Sequence, residues 1–226
     1  MISLLLPTRG RPHMLARLLA SVERTAQSDV EVRVWVDTDD PVLEMYKIIL
    51  KRAKANVVTT IGKAASVGHI WDELANRAQG DFLRMTNDDE HFVTEGWDVT
   101  LASAFCDHFP DNIGMVWADD SSEKKEKQCC FPMVHHRWLE ILGHFCPTCF
   151  QFLYHDTWIE DIARKANRAA YVPTVVIEHK HYHDALYIAE HSNDVWGHDY
   201  KKFQETDPER AAYAQMLVEQ MDADAK

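Results

Sequence analysis

The chain is expected to fold as a single α/β domain around a mostly parallel central sheet with helices on both faces. Three observations carry that expectation. Short apolar runs alternate with stretches of helical periodicity through the first 90 residues, and strands separated by helices imply parallel β-α-β crossovers. At 226 residues the length suits one large domain, since domains average roughly 150 residues. No internal repeat, low-complexity tract or linker divides the sequence.

Residues 2–6 form a continuous apolar run, as in a strand covered on both faces, and Leu15, Leu18, Leu19 and Val22 then mark one helix face. Residues 30–36 alternate at period two and end at Asp37. A helix follows from Pro41, a favourable first helical position, through Leu43, Ile48 and Leu50. Residues 56–61 read as a third strand, residues 68–79 as a helix with Ile70, Trp71 and Leu74 inward, and residues 81–85 as a fourth strand. The second half is less regular. Helices are expected over 97–108, 137–143 and 156–168, and strands over 113–117 and 171–178, the latter interrupted by Pro173. Residues 121–127 read as a solvated loop, and an amphipathic helix opened by Pro208 spans 207–221.

Hydrophobic residues make up 46% and charged residues 27%, which excludes a disordered or fibrous chain. No apolar run approaches the ~18 residues of a membrane span. The opening run is also short for a secretory signal, so a cytoplasmic protein with reduced thiols is expected from its five cysteines. Twenty-four Lys and Arg against 36 Asp and Glu leave a formal charge of −12. That balance disfavours a non-specific nucleic-acid coat, permits a local basic groove, and suits anion binding through a divalent metal.

In parallel sheets, ligands sit at the carboxyl ends of the strands. The first strand ends in Pro7-Thr8-Arg9-Gly10-Arg11-Pro12, where backbone amides and arginine suit a nucleotide, or make a plain turn. No GxGxxG follows, which argues against a dinucleotide fold. The second strand ends in Asp37-Thr38-Asp39-Asp40. Asp40 is the natural helix cap, leaving Asp37 free to accept an N–H from a base. The fourth ends in Asn87-Asp88-Asp89-Glu90. Crowded carboxylates there repel unless they share a cation, the alternative being an acidic surface turn.

Glu178-His179-Lys180-His181-Tyr182-His183-Asp184 follows the late strand. Alternate histidines in extended chain share a face, so three would suit zinc. A single histidine joined to carboxylates and a diphosphate would suit manganese or magnesium, with imidazole favouring manganese. Cys146 and Cys149 have CxxC spacing, readable as a structural zinc with His144 or His155, or as plain thiols.

Laid out in order, these segments resemble GT-A-fold, family-2-type glycosyltransferases. LLLPTRGRP and VWVDTDDP are similar to the family's first strand and its base-binding aspartate. The stretch ending in NDDEHF is similar to the helix, strand and DxD element, with Asn87 in the first acidic position. HDTWIEDIARKANR resembles the segment bearing the catalytic aspartate, and VVIEHKHY the late strand with a metal-binding histidine.

The resemblance implies a GT-A-like (Rossmann-like) fold. Residues 1–90 would bind the nucleotide sugar, 91–205 the acceptor and metal, and 206–226 would form a terminal helix. It implies transfer from a nucleotide diphosphate sugar, UDP-linked by preference, to an acceptor hydroxyl with inversion. Pro7, Thr8, Arg9, Asp37, Lys63 and Asp88 would hold the nucleotide. Asp89 with His179 or His181 would hold Mn2+ or Mg2+. Asp156 would be the base, its plain alternative being an N-cap, with Glu160 and Asp161 as substitutes. The small size is similar to bacteriophage-encoded members, some of which glycosylate hydroxymethylpyrimidines in DNA, which would make that DNA the acceptor and a host cytoplasm the location. Competing expectations are transfer to a cell-wall or lipid-linked glycan, a zinc metallo-hydrolase built on HKHYHD, and a non-catalytic nucleotide-binding module.

Overall fold

A computed structural model of the protein describes residues 1–180, 188–189 and 191–225. Its first half follows the expected alternation: β1 (Ile2–Thr8), α1 (Pro12–Thr25), β2 (Val30–Asp37), α2 (Leu43–Arg52), β3 (Asn56–Gly62), α3 (Val67–Asn76) and β4 (Phe82–Met85). The second half adds β5 (Glu90–Phe92), α4 (Trp97–His108), β6 (Met115–Asp119), β7 (Met133–His135), α5 (Arg137–Leu142), α6 (His155–Lys165) and β8 (Ala169–His179). Two helices follow, α7 (Asn193–Glu205) and α8 (Asp207–Asp224).

The strands form one mixed sheet in the order β3-β2-β1-β4-β7-β6-β8-β5. It is parallel across β3-β2-β1-β4 and between β6 and β8. It is antiparallel where β7 lies between β4 and β6, and where β5 adds to β8. Only residues 86–89 separate β4 from β5, yet β5 pairs at the far edge of the sheet, so the sheet curls until its end strand returns to the mouth of β4. Pro173, which has no N–H for the ladder, falls where the β6–β8 register slips: Ala118 pairs with Val172 but Asp119 with Val176.

Successive strand residues face opposite layers. Leu5, Leu83, Met115 and Trp117 pack in one core with Trp158, Ile162 and Leu217, under α3, α5, α6 and α8. Leu4, Leu6, Val32 and Val34 pack in the other with Leu15, Leu18, Leu101 and Phe105, under α1 and α4. Arg210 of α8, 2% exposed, donates to Asp161 at 2.5 Å and fastens α8 to α6. Among the described residues no helix is long and apolar enough to cross a membrane.

Helix α2 begins at Leu43, with Val42 as its cap residue, rather than at Pro41. Asp40 explains the difference. Its carboxylate accepts the Val42 amide at 2.8 Å and the Gly10 amide at 2.8 Å. It therefore joins the β1 and β2 loops instead of capping the helix.

Candidate active site

Four strand ends converge beneath two adjoining clefts. The first, of about 380 Å3, is lined by Thr8, Arg9, Trp35, Asp37, Ser66 and Asp88, among others. The second, of about 250 Å3, is lined by Asp89, Cys130, Tyr154, Asp156 and His179, among others. Arg11, Asn87 and Phe152 border both.

In the first cleft Asp37 is 6% exposed. Its Oδ2 accepts from Arg9 Nη1 at 2.6 Å and its Oδ1 from the Trp35 indole at 3.0 Å. Arg9 also donates to Asp39 at 2.7 Å. Those hydrogen bonds, with Asp39 the larger contributor and Asp37 next, hold the guanidinium above its ordinary range. Gly62 permits this arrangement, because a Cβ there would stand 2.1 Å from the Trp35 ring. Thr8 donates to Asp88 at 2.6 Å and pairs with the buried Tyr46 hydroxyl at 3.0 Å, which also accepts the Arg11 amide at 2.7 Å. Arg11 lies 3.8 Å from Asp88. Ser66 caps α3, accepting the His69 amide at 3.4 Å, so the positive end of that helix faces the cleft. Pro7 lines this cleft too. Lys63, just beyond β3, is exposed and is not among the described lining residues.

Each carboxylate of the acidic turn after β4 has a protein partner of its own. Glu90 is fully buried against Arg84, which donates at 2.7 and 3.0 Å and lies over the Phe92 and Phe131 rings. Burial outweighs that pairing and leaves the Glu90 carboxyl above its ordinary range. Asp88 takes Thr8 and Arg11, as above. Asp89 is 6% exposed, and its Oδ2 lies 3.2 Å from His179 Nε2. Its Oδ1 is buried with no hydrogen-bond partner among the described residues. Burial pulls the His179 imidazole down, but the Asp89 hydrogen bond and the nearby carboxylates outweigh it and leave the ring raised. His181 lies outside the described residues, as does His183.

Asp156 does not cap α6. The helix opens at His155 with Tyr154 as the cap residue, in left-handed backbone at φ 70°. Asp156 sits in the first turn, where its Oδ1 accepts the Thr157 amide at 2.7 Å and the Thr157 hydroxyl at 3.2 Å. Burial raises its pKa to about 6 against those two hydrogen bonds. The substitutes are engaged elsewhere. Glu160 accepts the Cys129 amide at 3.0 Å and Arg164 at 2.8 Å, and Asp161 holds Lys165 and Arg210. The CxxC pair carries free thiols. Cys146 is buried, with Sγ 3.5 Å from the Gly68 carbonyl, and Cys149 is exposed.

Sequence reasoning overlooked Trp35, Tyr46, Asp120 and Cys130. Asp120 had a signal: it directly follows an apolar strand, the place where ligands sit in parallel sheets.

No family model matches the chain, and no curated protein matches it in sequence. Solved structures do match in fold. S. aureus TarS matches with a TM-score of 0.60 at 15% identity, over 78% of this chain and 36% of that one, so the chain spans about a third of its length. TarS 1–349 in complex with UDP-GlcNAc matches at TM-score 0.68 and 14% identity, over 96% of this chain and 70% of that one. Mannosyltransferase PcManGT from Pyrobaculum calidifontis, in complex with GDP-Man and Mn2+, matches at 0.67 and 15%, over 96% and 68%. The chain shares their fold, the GT-A-like arrangement expected from the sequence.

Proposed function

We propose that the protein is a metal-dependent glycosyltransferase moving a sugar from a nucleotide diphosphate sugar to an acceptor hydroxyl with inversion. The observation that carries this reading is the joining of two clefts along Arg11, Asn87 and Phe152. One offers a buried carboxylate and a helix amino end, and the other a carboxylate-histidine pair and a carboxyl tuned near neutrality. The bound UDP-GlcNAc and GDP-Man of the two structural neighbours support the same donor class.

Asp37 would accept the imide N–H of the base, since each carboxylate oxygen keeps a lone pair beyond the one given to Arg9 or Trp35. Pro7, Thr8, Arg9 and Asp88 would frame the nucleoside. Lys63, exposed beside the cleft, would reach the donor only from its rim. Asp89 and His179 would hold the cation, for which the unpartnered Oδ1 of Asp89 is a suitable donor. When bound, that ion would neutralise the departing diphosphate. Asp156 would take the proton of the acceptor hydroxyl, being ionised at neutral pH yet more basic than an ordinary aspartate.

The hydroxymethylpyrimidine DNA acceptor needs basic groups at the cleft. Lys124, Lys125 and Lys127 lie in the segment after β6, at the strand ends that bear the clefts. Lys51, Arg52 and Lys54 lie where β3 begins, at the opposite end of the sheet. Arg9 and Arg11 line the first cleft, so transfer to DNA would rest on these arginines and the lysines after β6.

Incubation with a panel of nucleotide sugars and Mn2+ tests the transferase. Slow release of nucleotide diphosphate, lost in Asp156→Asn, is expected. Zinc-dependent phosphoester cleavage, or saturable donor binding without turnover, would replace this reading with the hydrolase or the binding module.

A further inference from the structure

Asp120 follows β6, Cys130 precedes β7 and His179 closes β8. One donor atom from each lies within 4.8 Å of the others. Asp120 is 6% exposed. Its Oδ1 accepts the Ser122 amide at 2.9 Å, while its Oδ2 is buried with no hydrogen-bond partner among the described residues. Asp89 Oδ1 is likewise buried with no hydrogen-bond partner among the described residues, while its Oδ2 lies 3.2 Å from His179 Nε2. Two incompletely satisfied buried carboxylates therefore lie close to one histidine and one thiol, an arrangement that is costly without a cation. The backbone fixes it in advance. The His179 amide donates to the Asp120 carbonyl at 3.0 Å, and the Lys180 amide to the Asp89 carbonyl at 2.9 Å.

We infer that Asp120, Cys130 and His179, with Asp89 beside them, form a site for a divalent cation of the zinc or cobalt class, selected over magnesium by the sulfur donor. Magnesium takes oxygen ligands and keeps its waters, whereas imidazole with thiolate suits borderline and softer ions. The thiol proton leaves to solvent as the sulfur–metal bond forms, one proton for each ion bound. The inference rests on the transferase reading only in giving this ion the donor diphosphate to meet. Its test needs neither donor nor acceptor.

Metal-stripped full-length protein is titrated with Co2+. A thiolate-to-cobalt charge-transfer band in the near ultraviolet is expected, absent in Cys130→Ser and bleached by Zn2+. Zinc affinity, measured by competition with a chelating dye, should fall about tenfold or more in both Cys130→Ser and Asp120→Asn. Alkylation of Cys130 in the unaltered protein, followed by peptide mass spectrometry, should be slowed by zinc and not by magnesium. That arm holds whether or not the variants fold. A missing band, a band that survives Cys130→Ser, or labelling that ignores zinc overturns the site. Zinc binding without turnover of any nucleotide sugar would instead overturn the transferase reading and leave the site standing.

Discussion

The Nε2 of His179 stands 3.2 Å from Oδ2 of Asp89, at the point where the end of β8 meets the turn after β4. The pairing of Glu90 with His179 in the β5–β8 ladder holds them there. Two segments remote in sequence thus act as one rigid unit. Removing divalent metal with excess chelator should stop transfer, and Asp89→Ala should abolish it while circular dichroism stays native. Full turnover in chelator would remove the ion from the reaction.

Asp156→Asn should leave donor binding intact and lower transfer by about a hundredfold or more, the usual loss when a general base is removed. The carboxyl has its pKa raised to about 6, so the reactive anion, and the rate, should grow as pH rises through 6. Because the folded value lies above the unfolded one, the group favours the folded state at low pH, and that contribution fades as pH rises through 6. A rate flat from pH 5 to 7 would count against Asp156 as the base.

Asp37→Ala should weaken donor binding more than it slows chemistry. Loss of a charge-assisted hydrogen bond costs about 1.5–3 kcal/mol, roughly ten- to a hundredfold in affinity. Calorimetric titration with the nucleoside diphosphate reads this directly. Unchanged affinity would leave Asp37 as no more than the anchor of Arg9 and Trp35.

Arg84→Met strands Glu90 in a fully buried position. Breaking one partner of a buried pair costs about 3–5 kcal/mol, while replacing both by apolar groups is close to neutral. Denaturant unfolding should therefore show a large loss for Arg84→Met and substantial recovery for Arg84→Met combined with Glu90→Met. Equal losses in both would mean the pair contributes through shape rather than charge.

If DNA is the acceptor, transfer to a hydroxymethylated duplex should weaken steeply with salt, and donor hydrolysis much less. Lys124→Ala combined with Lys127→Ala should flatten that slope. Equal activity on the free nucleoside, with no salt dependence, would identify a small-molecule acceptor.

The first half of the fold was legible because its strands are long enough to carry a pattern: residues 30–36 alternate, and 2–6 are apolar throughout. Strands β5 and β7 are too short to show any period, each only three residues long. Helix α7 carries charged and aromatic residues with one buried position, Asp199, whose carboxylate accepts the amides of Gln151, Phe152 and Leu153. Its role is to hold a loop, which hydropathy does not report. At the site, Asp37, Asp89, Asp156 and His179 stood out by their places after strands or before a helix. The partner of each carboxylate in the acidic turn was hidden. Glu90 answers Arg84 across a turn of six residues. Asp88 answers Thr8 because β4 lies parallel beside β1, a long-range pairing that no local spacing encodes.

Gly62 and Trp35 constrain what this lineage can become. With the indole tied to Asp37, a methyl group on residue 62 would overlap the ring at 2.1 Å. The glycine cannot be replaced first. A descendant bearing any side chain at position 62 must already have shrunk or turned Trp35, and with it given up one support of the cleft carboxylate. The order of substitutions is thereby set by geometry: Trp35 has to give way before position 62 gains a side chain.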